Sequence, residues 1–257
     1  MIERTVLLTG AAGQVARHLL PGLSGYARRL VDVVQPLPAA DPPEHTDVRV
    51  GDLADRAFAT EVVQGVDTVV HLAANPRAQA SWDALRTPNV DLVATILDAA
   101  QRADVRRVIL ASSVHAMGGY VQQEQHPVDP FWPPSPCCAY GATKAFAEAL
   151  GRTYSYRTGL SVVCLRFGAV QDRPFAVGSM PSWLAPADLR HLVVRAIEAA
   201  DVRFGVYHGV SANTRHEWDT SNARAEIGYA PTGDSEVFFT ELDPNPRRSL
   251  CPRGPVA

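Results

Sequence analysis

Residues 5–16, TVLLTGAAGQVA, decide the fold. Thr5-Val6-Leu7-Leu8 is a short, unbroken apolar run, the pattern of a strand buried on both faces. A turn follows, Thr9-Gly10-Ala11-Ala12-Gly13, and then a helical stretch from about Gln14 to Leu20. Gly10 permits the tight turn, and Gly13 lets backbone come close to a pyrophosphate. Ala12, Gln14 and Val15 complete the cradle. Ala16 stands where a third glycine would allow close helix packing, a place alanine tolerates. The helix start offers free N–H groups and a positive dipole end to phosphates. Strand, glycine turn and helix in this order form the context of a dinucleotide fingerprint. Two glycines at this spacing also occur in purely structural turns, so the rest of the chain has to carry the weight.

Asp32 ends a second strand, Leu30–Val34, and lies 22 residues after Gly10. That is near the spacing of an acid that binds adenosine ribose hydroxyls, and its charge repels a 2′-phosphate. NAD is therefore expected over NADP, with Arg28 and Arg29 close enough in sequence to accommodate a phosphate instead. A third strand, Val48–Val50, leads into Asp52 and Leu53, which fit an adenine contact. Asp67–Leu72 reads as a fourth strand, after which Leu72, Ala73 and Ala74 are small enough for a ribose to approach. Arg107–Ala111 is a fifth and Ser161–Phe167 a sixth, with helices over about Val90–Gln101 and Tyr140–Tyr156 between them. Apolar strands alternating with helices predict an α/β fold: a doubly wound parallel sheet, the Rossmann fold.

The whole chain, 1–257, is read as one domain, with a dinucleotide-binding core over 1–170. A small substrate-facing cap is expected over 171–243, because Gln171–Pro186 is rich in Gly, Pro and Ser. Residues 126–138, HPVDPFWPPSPCC, hold five prolines and form an irregular loop. The tail over 244–257 is expected to be weakly ordered. The chain has 257 residues, 46% hydrophobic and 20% charged, with a formal charge of −3. It is long enough for a large core, and no basic field favours nucleic acid. No apolar run reaches membrane-span length and no signal-peptide pattern opens the chain, so a soluble, cytoplasmic protein is expected. The cysteines at 137, 138, 164 and 251 show no CxxC spacing and no histidine at ligand spacing along the sequence. No metal is expected, and Cys137-Cys138 reads as two reduced thiols.

Of 24 basic residues, Lys144 is the only lysine. Tyr140 precedes it by four positions, which puts both on one helical face. With seven tyrosines in 257 residues, that coincidence arises by chance about 3% of the time. An ammonium beside a phenol favours the phenolate and makes a usable acid or base near neutrality. Ser113, at the end of the fifth strand, puts a hydroxyl at the carboxyl edge of the sheet, although serines there are also common turn formers.

Together, the fingerprint, Asp32, Ser113, Tyr140 and Lys144 resemble the short-chain dehydrogenase/reductase superfamily, in its extended, sugar-modifying form, over roughly residues 4–230. HLAANPRAQASWDAL (71–85), ASSVHAMGGY (111–120), TGLSVVCLRFG (158–168) and Trp183-Leu184 resemble a narrower group, the uronate dehydrogenases and archaeal NAD-dependent glucose-6-phosphate dehydrogenases. The resemblance implies Tyr140 as general base and Lys144 on the nicotinamide ribose. Ser113 would orient the reacting oxygen, and Asn89 would stand on the cofactor side. On the substrate side it implies Gln14, Pro76, Ser113, Val114, His115, Tyr140, Ala169 and Arg173. His115 and Gln14 also have plain readings, as a loop anchor and a first-turn helix residue.

The departures from that group matter as much. Val114 and Ala169 replace hydrogen-bonding side chains, and Gly178 stands where the uronate enzymes carry a carboxylate-binding arginine five residues before the tryptophan. Losing each such bond costs about 1.5–3 kcal/mol, which argues against a uronate unless Arg77 or Arg173 substitutes. The expectation is an NAD-dependent oxidoreductase of a sugar or sugar-like compound, working as a homodimer. The alternative is an epimerase or dehydratase that retains its NAD with no net redox change. A cofactor-sensing regulator is a third reading, weakened by the intact Tyr–Lys pair.

Overall fold

The structure, a computed structural model, describes residues 4–36 and 44–244. In chain order its main elements are β1 (Thr5–Thr9), α1 (Gln14–Leu19), β2 (Ala27–Asp32), β3 (Thr46–Val50), α2 (Arg56–Val62), β4 (Thr68–His71), α3 (Trp82–Arg86), α4 (Leu92–Arg102) and β5 (Arg107–Ser113). There follow α5 (Gly118–Gln122), α6 (Ala139–Thr158), β6 (Ser161–Phe167), β7 (Ala169–Val170), β8 (Trp183–Leu184), α7 (Pro186–Glu198), β9 (Phe204–Gly209) and α8 (Ser221–Ile227). Seven strands form one sheet in the order β3-β2-β1-β4-β5-β6-β9. Every pairing in it is parallel.

Period-two alternation explains the two cores. On one face Val6, Leu8, Leu30, Val70 and Ile109 pack with Leu19 of α1 and Leu189, Leu192, Val193 and Ile197 of α7. On the other, Leu7, Val31, Val69, Val108 and Leu110 meet Val62 of α2, Ile96 and Leu97 of α4, and Ala147 of α6. The buried Arg107 on β5 donates to the carbonyls of Ala196 (2.7 Å) and Val202 (3.1 Å). A cation thus stands where the helix dipole of α7 is negative, and it ties that helix to the sheet.

The strand order turns at β1: the chain winds outward through β2 and β3, then crosses back to β4. A crevice opens beyond the carboxyl ends of β1 and β4 at this reversal.

Several expectations shift. The second strand starts at Ala27 and stops at Asp32, leaving Val33 and Val34 exposed. The helix expected from Val90 starts at Leu92, after a π-helical turn over Thr87–Asp91. β9, which lies in the stretch expected to be a cap, is the seventh strand of the main sheet, and α7 covers that sheet. A boundary at residue 170 therefore cuts through the core. Gln171–Pro186 contains a 3₁₀ turn, Val177–Ser182, and the short β8. Of the expected tail, 245–257 lies outside the described residues. No helix among the described residues is long and apolar enough to cross a membrane.

Candidate functional site

β1 ends in Thr9, and Gly10 then turns with φ of +68°, a left-handed conformation that favours glycine. A Cβ there would lie 2.6 Å from the Ala73 nitrogen, so only glycine lets this turn lie against the segment that follows β4. Gly13 caps α1, and no side chain occupies the helix start. The Ala12 amide donates to Asp32 Oδ2 at 2.9 Å, and the Val33 amide donates to Oδ1 at 2.7 Å, which fixes the carboxylate at the end of β2. Asp52 stands beyond β3 with Leu53 beside it.

At the far end, α6 brings in Tyr140 and Lys144. Its first turn rides directly on the carbonyl of His115, with Gly141 at the contact, where any Cβ would collide with that oxygen. Lys144 Nζ donates to the Ala111 carbonyl at 2.8 Å and lies 5.5 Å from the centre of the Tyr140 ring. Burial pulls its pKa down to about 8, opposed by the negative charge of Glu148. Ser113 Oγ accepts the His115 amide proton at 3.2 Å. Burial pushes the Tyr140 phenol up to about 12, partly offset by its hydrogen bond with Ser113. Desolvation rather than the expected influence of Lys144 decides the direction, and the resting tyrosine holds its proton. The His115 ring packs edge-on against Tyr140, and burial lowers its pKa to about 4, so the imidazole is neutral at physiological pH.

One cavity of about 600 Å³ joins the two ends. Gly10, Gly13, Gln14, Val15, Asp32, Asp52, Leu53, Leu72, Ala73 and Ala74 line its nucleotide side. Ser113, Tyr140, Lys144, His115, Pro76 and Ala169 line the rest. Four expected residues do not line it. Ala12 contributes only its amide to Asp32. Asn89 is buried and spends its amide on Asn75 and on Thr143 Oγ1. Val114 is fully buried in a small core with Met117, Val128, Val210 and Trp218. Arg173 pairs with Glu241 at 3.0 Å and lies over Phe238. Arg28 and Arg29 are also engaged elsewhere, on the Glu44 carbonyl and on Asp47.

Phe167, Gln171 and Phe175 line the cavity unforeseen. The Phe167-Gly168 pair closing the sixth strand was the available signal for the first of them. Behind the wall, Arg166 grips Glu148 through two bonds of 2.8 Å, and Ser112 Oγ donates to the same carboxylate at 2.5 Å. The cysteines depart from expectation: Cys137 is disulfide-bonded, whereas Cys138 and Cys164 are free. His115 Nδ1 lies 3.3 Å from Cys137 Sγ and 3.5 Å from Cys138 Sγ, a histidine contact that spacing along the chain concealed. With Cys137 in a disulfide, the group does not offer three ligands.

The residues present fit a dinucleotide. A glycine cradle, an anchored carboxylate and a buried lysine follow one another along a single crevice. The family model described as the NAD dependent epimerase/dehydratase family matches residues 6–179. The chain is 34% identical to the uronate dehydrogenase of Pseudomonas putida, over 94% of this chain and 88% of that one. It is also 34% identical to the NAD-dependent glucose-6-phosphate dehydrogenase of Haloferax volcanii, over 95% and 98%. An alanine-for-tyrosine mutant of the Agrobacterium tumefaciens uronate dehydrogenase, solved in complex with NAD, superposes with a TM-score of 0.86 at 29% identity, covering 95% of this chain and 91% of that one.

Proposed function

Because this chain belongs to the NAD dependent epimerase/dehydratase family, we propose that it is an NAD-dependent oxidoreductase interconverting a hydroxyl and a carbonyl of a sugar or sugar-like compound, with Tyr140 as acid/base. One observation carries the reading: Ser113, Tyr140 and Lys144 converge on one end of a cavity whose other end holds Asp32. NAD, when bound, supplies the hydride acceptor. Gly10, Gly13 and the amides opening α1 would hold its phosphates, Asp32 its adenosine ribose and Lys144 its nicotinamide ribose. Tyr140 takes the hydroxyl proton during oxidation and returns it during reduction, while Ser113 holds the reacting oxygen. The wall from Ala169 to Phe175 faces the substrate.

The test is NADH formation from added NAD over a panel of aldoses, uronates and sugar phosphates. Turnover with freely exchanging cofactor supports the reading. NAD that stays bound through gel filtration, with no net NADH, supports an epimerase or dehydratase instead.

The pH dependence follows from two groups. Below the raised pKa of Tyr140, each pH unit gives about tenfold more phenolate, so oxidation accelerates as pH rises. Lys144 carries its charge only below about 8, so the gain ends above that pH. The expected kcat/KM for oxidation climbs from pH 6 to 8 and then levels off. A profile that falls across that interval contradicts the assignment.

We also propose a homodimer, formed through the outward faces of α4 and α6. Phe146 on α6 and Trp82 on the neighbouring α3 are exposed there, 39% and 51%. Sedimentation at micromolar concentration should give twice the chain mass, and a clean monomer overturns it. A cytoplasmic setting, with its NAD pool, accompanies this reading and is checked by cell fractionation.

A further inference from the structure

Resting on the sugar-oxidoreductase reading, we propose that the substrate is an uncharged sugar, recognised through its hydroxyl groups, rather than a uronate or a sugar phosphate. Among the described residues lining the cavity, the charged side chains are Asp32, Asp52 and Lys144. The two carboxylates stand at the ends of β2 and β3, on the nucleotide side. Lys144 is 6% exposed and bonded to the Ala111 carbonyl. Beyond Tyr140 the lining is Phe167, Val170, Phe175, His115 and two glutamines, Gln14 and Gln171.

Among the described residues, neither Arg77 nor Arg173 reaches this wall. Arg173 is turned to Glu241, and Arg77 is exposed outside the cavity lining. His115 cannot supply the charge either, since burial keeps its ring neutral near pH 7. Among the described residues, an anionic substrate would therefore leave water without gaining a counter-ion, an unfavourable exchange on an apolar wall. Hydroxyl groups face no such cost. Gln14 Nε2 donates to the Val170 carbonyl at 3.4 Å, which holds the side chain across the cavity while its amide oxygen remains able to accept. Gln171 adds a second amide on the same side. Amides supply both donors and acceptors, as a ring of hydroxyls requires.

The experiment compares matched pairs at saturating NAD: glucose with glucuronate and with glucose 6-phosphate, and galactose with galacturonate. The neutral member should show kcat/KM about tenfold or more above its charged partner, the scale of one charge-assisted bond. Phe175→Arg, which places a guanidinium at this wall, should shift the glucuronate-to-glucose ratio about tenfold or more towards the acid. A wild-type preference for the uronate or the phosphate overturns the inference while leaving sugar oxidation standing. An unchanged ratio in the variant overturns the assignment of this wall to the substrate. No NADH from any of these sugars, with NAD binding confirmed by calorimetry, overturns the inference together with the reading beneath it.

Discussion

Tyr140→Phe should lower kcat for sugar oxidation by about 10²–10⁴, the usual contribution of a positioned acid or base. The substitution removes one oxygen and leaves the ring. The edge contact with His115 and the packing of α6 on the turn after β5 are therefore retained. NAD affinity should stay within about threefold, because the cradle at Gly10 and the carboxylate of Asp32 lie at the other end of the cavity. Stopped-flow turnover and calorimetric NAD titration on the same preparation separate the two effects. A variant with undiminished kcat removes Tyr140 from the mechanism. A variant that loses NAD binding as well shows that the phenol serves the cofactor site instead.

The largest effect on stability is expected at Glu148. Its carboxylate is 5% exposed and answers two donors of Arg166, which is 3% exposed, along with the Ser112 hydroxyl. Arg166 also donates to the Pro130 carbonyl at 3.1 Å. Glu148→Ala leaves that guanidinium buried without its counter-charge, at a cost of about 3–5 kcal/mol. In a domain stabilised by about 5–15 kcal/mol overall, urea unfolding will register this as a large fall in midpoint. A paired replacement, Glu148→Leu with Arg166→Met, removes both charges and should recover most of the loss. If the single variant unfolds like the wild type, the pair contributes nothing to stability.

The parts of this site that were legible in the sequence depend on local spacing. The Gly10 turn and Asp32 fall within one β–α–β unit, and the Tyr140–Lys144 interval within one helical turn, so local motif and spacing locate them. Other features needed tertiary contacts. Arg173 sits close in sequence to the missing clamp, yet Glu241, 68 positions later, claims it. Val114 follows Ser113, but it turns away from the cavity into a small core built from residues as distant as Trp218. Asn89 looks like a ligand-facing amide on a helix, and Asn75 and Thr143 consume it. β2 starts earlier than its apolar residues suggest, because Arg29 finds Asp47 and the Val62 carbonyl and can stand in a strand. α7 was a different case. Leu189, Leu192, Val193, Ala196 and Ile197 recur at helical spacing, a signal that the reading of 171–243 as a cap left unused.

Lys144 is the chain's sole lysine, and it is buried against the Ala111 carbonyl with its pKa lowered to about 8. Apart from the α-amino group, any amine-directed reagent therefore has a single address on this molecule, and that address lies inside the cavity. An amine-directed label read at Lys144 by peptide mapping becomes a gauge of occupancy: its rate of incorporation there falls as the cavity fills, with no other lysine to subtract. Immobilisation through a lysine, for the same reason, has to go through the cavity.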